Sequence, residues 1–151
     1  MMTSQPGTYA LLLTSRATGP VPIGRLGTIS FSPGFCVYVG SAFGPGGLAA
    51  RIEHHQRIST RPHWHIDYLR AVCDLVEVWF TTEAARREHS WANAVARIPG
   101  AGLPVPGFGS SDCQCETHLF CFARRPSIKE FRQRVGTPVS RAMGLGEQRT
   151  R

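Results

Sequence analysis

The stretch FCVYVGSAFGPGGLAARIEHH, residues 35–55, constrains the fold more than any other part of the chain. An apolar run that ends in glycine reads as a strand, and the glycines and proline of GPGG cannot extend it. From Gly47 the pattern changes: Leu48, Ile52 and His55 recur on one face of a helix that also carries Arg51 and His54. The reading is therefore strand, tight turn, helix. It raises the question of whether Tyr38, at the end of that strand, packs or does chemistry.

The rest of the chain supplies partners for this unit. TYALLLT, residues 8–14, suits a buried strand, and SRATGPVPIG, with two prolines and two glycines, reads as a loop. RLGTISF, residues 25–31, alternates as a second strand, and the Pro33–Gly34 turn leads into FCVYVG, so these three predict an antiparallel meander. Pro62 starts a short helix, HWHIDYLRAV. DLVEVWFT, residues 74–81, is a strand on which Glu77 reads as solvent-facing. Thr82 caps a helix EAARREHSWANAVARI that Pro99 and Gly100 end. A long loop follows to about residue 116, then a strand HLFCFA and an amphipathic helix SIKEFRQRV. The expectation is one α+β domain over residues 7–135, with a small, mostly antiparallel central sheet flanked by helices. Residues 136–151, basic and without apolar periodicity, read as a flexible tail.

Composition bounds the function. With 151 residues, 42% of them hydrophobic, the chain builds one core. No apolar run spans a bilayer, so no membrane partner is expected, and the N-terminus lacks the pattern of a signal peptide; both predict a cytoplasmic protein. Five cysteines, of which only Cys113 and Cys115 cluster, argue against a disulfide framework. A formal net charge of +7 points to a polyanionic partner, although sixteen of the seventeen basic residues are arginine, a bias that genome composition also produces.

Four features invite comparison with phosphodiester hydrolysis: Tyr9, Tyr38, Arg51 and Glu88. That reaction needs an activated water, a divalent ion held by hard oxygen ligands, and a cation to balance charge on the pentacovalent phosphorus. Glutamate supplies an oxygen ligand and arginine the cation. A tyrosine, with an ordinary pKa of about 10, becomes a base only if its surroundings lower that value. His55 lies one helical turn after Arg51 on the same face and is placed to orient a hydroxyl or take its proton.

GTY at residues 7–9 with YVG at residues 38–40 resembles the paired signature of the GIY-YIG endonuclease superfamily. Arg51 on the following helix is similar to the superfamily's arginine, His55 four residues later resembles its restriction-enzyme branch, and EAARREH, residues 83–89, looks like the segment that carries its metal-binding glutamate, here Glu88. HWHIDYL and PVPGFGSSDCQCETHLF resemble its small stand-alone branch, the Uri-type endonucleases. The resemblance covers roughly residues 7–123. It implies a nuclease of DNA, or of structured RNA, in repair or nucleic-acid processing, with a repair protein as a possible partner. It also implies roles: Tyr38, with Tyr9 and His55, handling the water; Arg51 on the scissile phosphate; Glu88 holding Mg²⁺ or Mn²⁺. Gly40, Arg57 and His65 are the expected nucleic-acid contacts, and the amides near Gly47 are expected to be free for a phosphate. Two departures stand out. The segment between GTY and YVG is much longer than the usual hairpin, leaving room for an extra strand between them. The superfamily's late asparagine has no counterpart, Asn93 falling too close to Glu88.

Other motifs leave alternatives open. His63 and His65 are two residues apart and point to different faces of a helix, so packing outweighs a shared metal; Asp67 caps a helix or pairs with an arginine. His54 reads as exposed. Cys113, Cys115 and His118 offer soft ligands to Zn²⁺, completed by His63 or His65, but their spacing is not that of a standard zinc knuckle. The competing functions are a non-cleaving nucleic-acid-binding module of the same fold and a zinc-binding interaction module.

Overall fold

The computed structural model describes residues 2–16, 19–102, 106–109 and 117–143. The strands run β1 (Gly7–Ser15), β2 (Gly19–Pro22), β3 (Thr28–Phe31), β4 (Gly34–Ala42), β5 (Cys73–Thr81), β6 (Leu119–Phe122) and β7 (Ser140–Met143). The helices are α1 (Gly47–Gln56), α2 (His65–Arg70), α3 (Glu88–Ala96) and α4 (Ile128–Arg132). Five strands form one antiparallel sheet in the order β6-β4-β1-β5-β7, and β2 with β3 forms a separate hairpin. The chain is thus a single α+β domain. No helix among the described residues is long and apolar enough to cross a membrane.

Strand β1 lies at the centre because its apolar residues satisfy both faces at once. Tyr9, Leu11 and Leu13 pack with Leu48 and Ile52 of α1 and Ile66 and Leu69 of α2. Ala10 and Leu12 pack on the other face with Trp91 and Val95 of α3 and Phe131 of α4. Such two-sided burial explains a nearly continuous hydrophobic run in place of alternation.

The expected meander does not form. Strand β1 pairs directly with β4, Tyr9 opposite Gly40 and Leu11 opposite Tyr38, and the long insertion folds away as the β2–β3 hairpin. No strand comes between the two signature tyrosines. Part of the expected loop is strand β2, where Pro20 and Pro22 are tolerated because the hairpin has only two strands and offers edge positions.

Three further expectations are corrected. Helix α3 begins at Glu88, not after Thr82: the Arg87 amide donates to Thr8 Oγ1 at 3.1 Å, and the Arg87 guanidinium binds Glu83, which holds residues 82–87 outside the helix. Glu77 is buried, not solvent-facing. A bulge that places Val76 as an extra residue opposite Leu12 and Leu13 leaves Glu77 beside Trp79, whose Nε1 donates to it at 2.7 Å, while Arg125 pairs with its other oxygen at 2.7 Å. The ordered fold also runs past residue 135, since β7 pairs with β5 from Glu77 to Phe80. Residues 144–151, the remainder of the expected tail, lie outside the described residues.

Candidate active site

Strand β6 pairs with β4 only as far as Leu119 opposite Tyr38. A cleft of about 540 Å³ opens around the uncovered end of β4, lined among others by Tyr9, Tyr38, Gly40, Ser41, Arg51, His55, His65, Glu88 and His118. Five of the six histidines line it.

Helix α1 positions two of these groups. Its start is fastened by the Leu48 amide donating to Gln5 O at 2.9 Å and the Ala49 amide to Thr3 O at 2.7 Å. The amides expected to be free for a phosphate are therefore occupied by the N-terminal segment. Gly47 adopts a φ of 59°, and a side chain there would meet the carbonyls of Ser4 and Gln5. At the other end, Arg70 donates through Nε to His55 O at 2.7 Å, tying α1 to α2.

On this frame, His55 Nε2 and the Tyr9 hydroxyl stand 2.7 Å apart, both buried. Burial, helped by the charges of His54 and Arg51, pushes the His55 pKa down to about 3, so the ring is neutral at pH 7. His55 Nδ1 is buried without a partner. A buried N–H with no acceptor costs more than an idle lone pair, so we assign the proton to Nε2, which then donates to the Tyr9 oxygen. The phenol proton of Tyr9 is left to face the cleft.

Both phenols are held protonated. Burial, then the neighbouring Tyr38, raises the pKa of Tyr9 well above its ordinary value, with Arg51 opposing. Burial and Glu88 raise that of Tyr38, again against Arg51. Gly40 makes room for this arrangement: a Cβ there would lie 2.5 Å from the Tyr9 hydroxyl oxygen. Gly40 thus admits the Tyr9 ring, and it also lines the cleft.

Arg51 lies over the Trp64 ring, 4.4 Å from its centroid, and Trp64 remains partly exposed at the rim. The Trp64 and His63 amides donate to Asp67 Oδ2, and His54 Nε2 lies 2.8 Å from Asp67 Oδ1. Asp67 therefore caps α2 and pairs with a histidine in place of an arginine, and His54 is partly buried, not exposed. Burial acts to raise the Asp67 pKa, but these hydrogen bonds outweigh it and leave it below its ordinary value. Ligand atoms of His54, His55 and Asp67 lie within 4.8 Å of one another. Both Asp67 oxygens already accept hydrogen bonds, and Arg51 and Arg70 add positive charge beside the group, so a cation there would meet repulsion.

Glu88 enters from the opposite face at the start of α3. Ser41 Oγ donates to its Oε1 at 3.2 Å, and His118 Nδ1 is 3.7 Å from its Oε2. It is the single carboxylate among the described residues lining the cleft. One carboxylate with open space before it fits Mg²⁺ or Mn²⁺, ions that keep most of their waters and take oxygen ligands.

The remaining expected contacts divide. His65 lines the cleft, its Nδ1 accepting from the Gly109 amide at 2.8 Å, and burial lowers its pKa. Arg57 does not line it; exposed at the end of α1, it sits 3.8 Å from Glu53. His118 is a buried wall of the cleft facing Glu88, and Cys113 and Cys115 lie outside the described residues. Asn93 is exposed on the outer side of α3, away from the cleft. Sequence reasoning missed Ser41 and Trp64. The signal for Trp64 was an aromatic between His63 and His65 with no helical apolar partner; for Ser41, its place directly after YVG.

Among the comparisons with known proteins, the model of a family described as "Domain of unknown function DUF123" matches residues 8–140. No curated protein and no solved structure matches the chain.

Proposed function

The chain belongs to the family described as domain of unknown function DUF123, and from the chemistry of its cleft we propose that it is a metal-dependent endonuclease that hydrolyses phosphodiester bonds of DNA. The observation that carries this reading is the meeting of Tyr9, Tyr38, Arg51, His55 and Glu88, drawn from β1, β4, α1 and α3, in one cleft. The GIY-YIG resemblance of GTY and YVG agrees with it.

A divalent ion bound at Glu88 would polarise a phosphate oxygen and lower the pKa of groups around it. Arg51 meets the negative charge that develops on phosphorus, with the Trp64 ring in contact with its guanidinium. Tyr38 orients the attacking water; to take its proton it must first release its own to solvent, a loss that burial and the Glu88 charge oppose and that Arg51, and a cation bound at Glu88, would favour. His55 holds the Tyr9 oxygen, so that the Tyr9 hydroxyl points at the same water. Ser41 fixes the Glu88 carboxylate. The basic chain supplies the general attraction to nucleic acid.

Incubation with supercoiled plasmid and Mg²⁺ or Mn²⁺ tests the reading, with a structured RNA as the second substrate. Nicking that falls on the order of 100-fold in Arg51→Ala and in Glu88→Ala supports it. No nicking, or nicking unchanged in both variants, overturns it and leaves a non-cleaving binding module of the same fold.

A further inference from the structure

A second cavity, of about 370 Å³, lies on the other side of helix α3 from the cleft. Its walls are Arg87, Ser90, Asn93 and Arg97 from the α3 side, with Arg134 and Thr137 from the segment after α4. Positions 87, 90, 93 and 97 follow the spacing of one helical face, the face left exposed while Trp91, Ala92, Ala94 and Val95 go to the core. Among the described residues no acidic side chain lines the cavity. Arg87 is committed to Glu83, but Arg97 makes no ion pair among the described residues. Among the described residues Arg134 gives only Nη1, to Glu130 O at 2.9 Å, and keeps the rest of its guanidinium fork. Ser90 Oγ already donates to Arg87 O, but two available guanidiniums, with the Thr137 hydroxyl and the Asn93 amide beside them, suit an oxyanion such as phosphate.

We propose that this cavity is a second phosphate-binding site, which holds the backbone of the same nucleic acid away from the point of cleavage. The inference rests on the nuclease reading for its ligand and not for its chemistry. Glu88 stands in the cleft, and Arg97 nine residues further along the chain borders the cavity. At 1.5 Å per residue the two are about 14 Å apart along α3. With about 3.4 Å of duplex axis per nucleotide of one strand, that is roughly four nucleotides for a strand that runs along α3. The site would therefore set the register of the strand across the cleft without touching the scissile bond.

The test is DNA binding by the full chain in EDTA, where no metal supports cleavage, read by fluorescence anisotropy of a labelled duplex over a range of KCl concentrations. Arg97→Ala and Arg134→Ala should each weaken binding and lower the slope of log affinity against log salt by about 0.9. Arg97→Lys should restore the slope, which a folding defect would not. Arg16→Ala, which removes an exposed partner of Asp74, serves as the control and should leave the slope in place. If the wild type binds DNA and neither alanine variant changes the slope, the inference fails alone. If inorganic phosphate shifts the NMR signals of the cavity while the DNA slope is unchanged, the site takes free phosphate and the nucleic-acid assignment is overturned. If the wild type binds no DNA at low salt, the nuclease reading and the inference fall together.

Discussion

The Tyr9 hydroxyl and His55 Nε2 lie 2.7 Å apart although 46 positions separate the residues in the chain. The strand–helix packing that joins them also takes His55 out of water, and its pKa falls to about 3. An unfolded chain would take up that proton near pH 6.5. Between these values the unfolded state binds more protons, so stability falls as pH falls, by about 1.4 kcal/mol per pH unit for this one group. Urea denaturation of the wild type and of His55→Gln from pH 7 to pH 5 checks it. The variant should be less pH-sensitive over that range, although burial also lowers the pKa of His65 and His118 and leaves a residual slope of the same sign.

Gly40 is required by the Tyr9 ring. Gly40→Ala places a Cβ 2.5 Å from the Tyr9 oxygen, and neither the ring nor the strand can yield cheaply. The expected cost is about 1–3 kcal/mol of stability, together with loss of nicking. Gly44→Ala, where an added Cβ meets nothing within 4 Å, is the matched control. Thermal melting and the plasmid assay read both.

Trp64 acts on Arg51 as a positioning residue. Removing the ring in Trp64→Ala forfeits a cation–π contact worth about 0.5–1 kcal/mol, so single-turnover cleavage should slow by roughly 2- to 5-fold. Trp64→Phe should recover part of that rate. An unchanged rate with only weaker DNA binding would show that the ring serves the nucleic acid and not the arginine.

The buried Glu77 depends on two donors. Arg125→Ala removes one of them and should destabilise the fold by about 2 kcal/mol, while Glu77→Gln removes the need for a cation and should cost less. The two changes share one contact, so a double-mutant cycle measured in urea should be non-additive. Additive effects would mean that the pair is a surface contact without consequence.

What was legible in the sequence was local. The apolar runs of β1, β4, β5 and β6, the glycine-rich turn into α1, and the one-turn spacing of Arg51 and His55 follow from side-chain periodicity and glycine chemistry, and each is present. So is the gathering of Tyr9, Tyr38, Arg51, His55 and Glu88, which the resemblance implied and the register of β1 on β4 delivers.

The rest was decided by contacts between segments far apart in the chain. Residues 83–87 have good helix formers, yet the Arg87 amide is drawn to Thr8, and α3 starts late. Glu77 alternates as a surface residue should, but a bulge and helices on both faces leave its side chain no water. The amides at the start of α1 look free in sequence and are taken by Thr3 and Gln5. Short-range sterics and periodicity act within a few residues and can be read from them. Which strand pairs with which, and which polar group loses its water, is set only when the whole sheet closes.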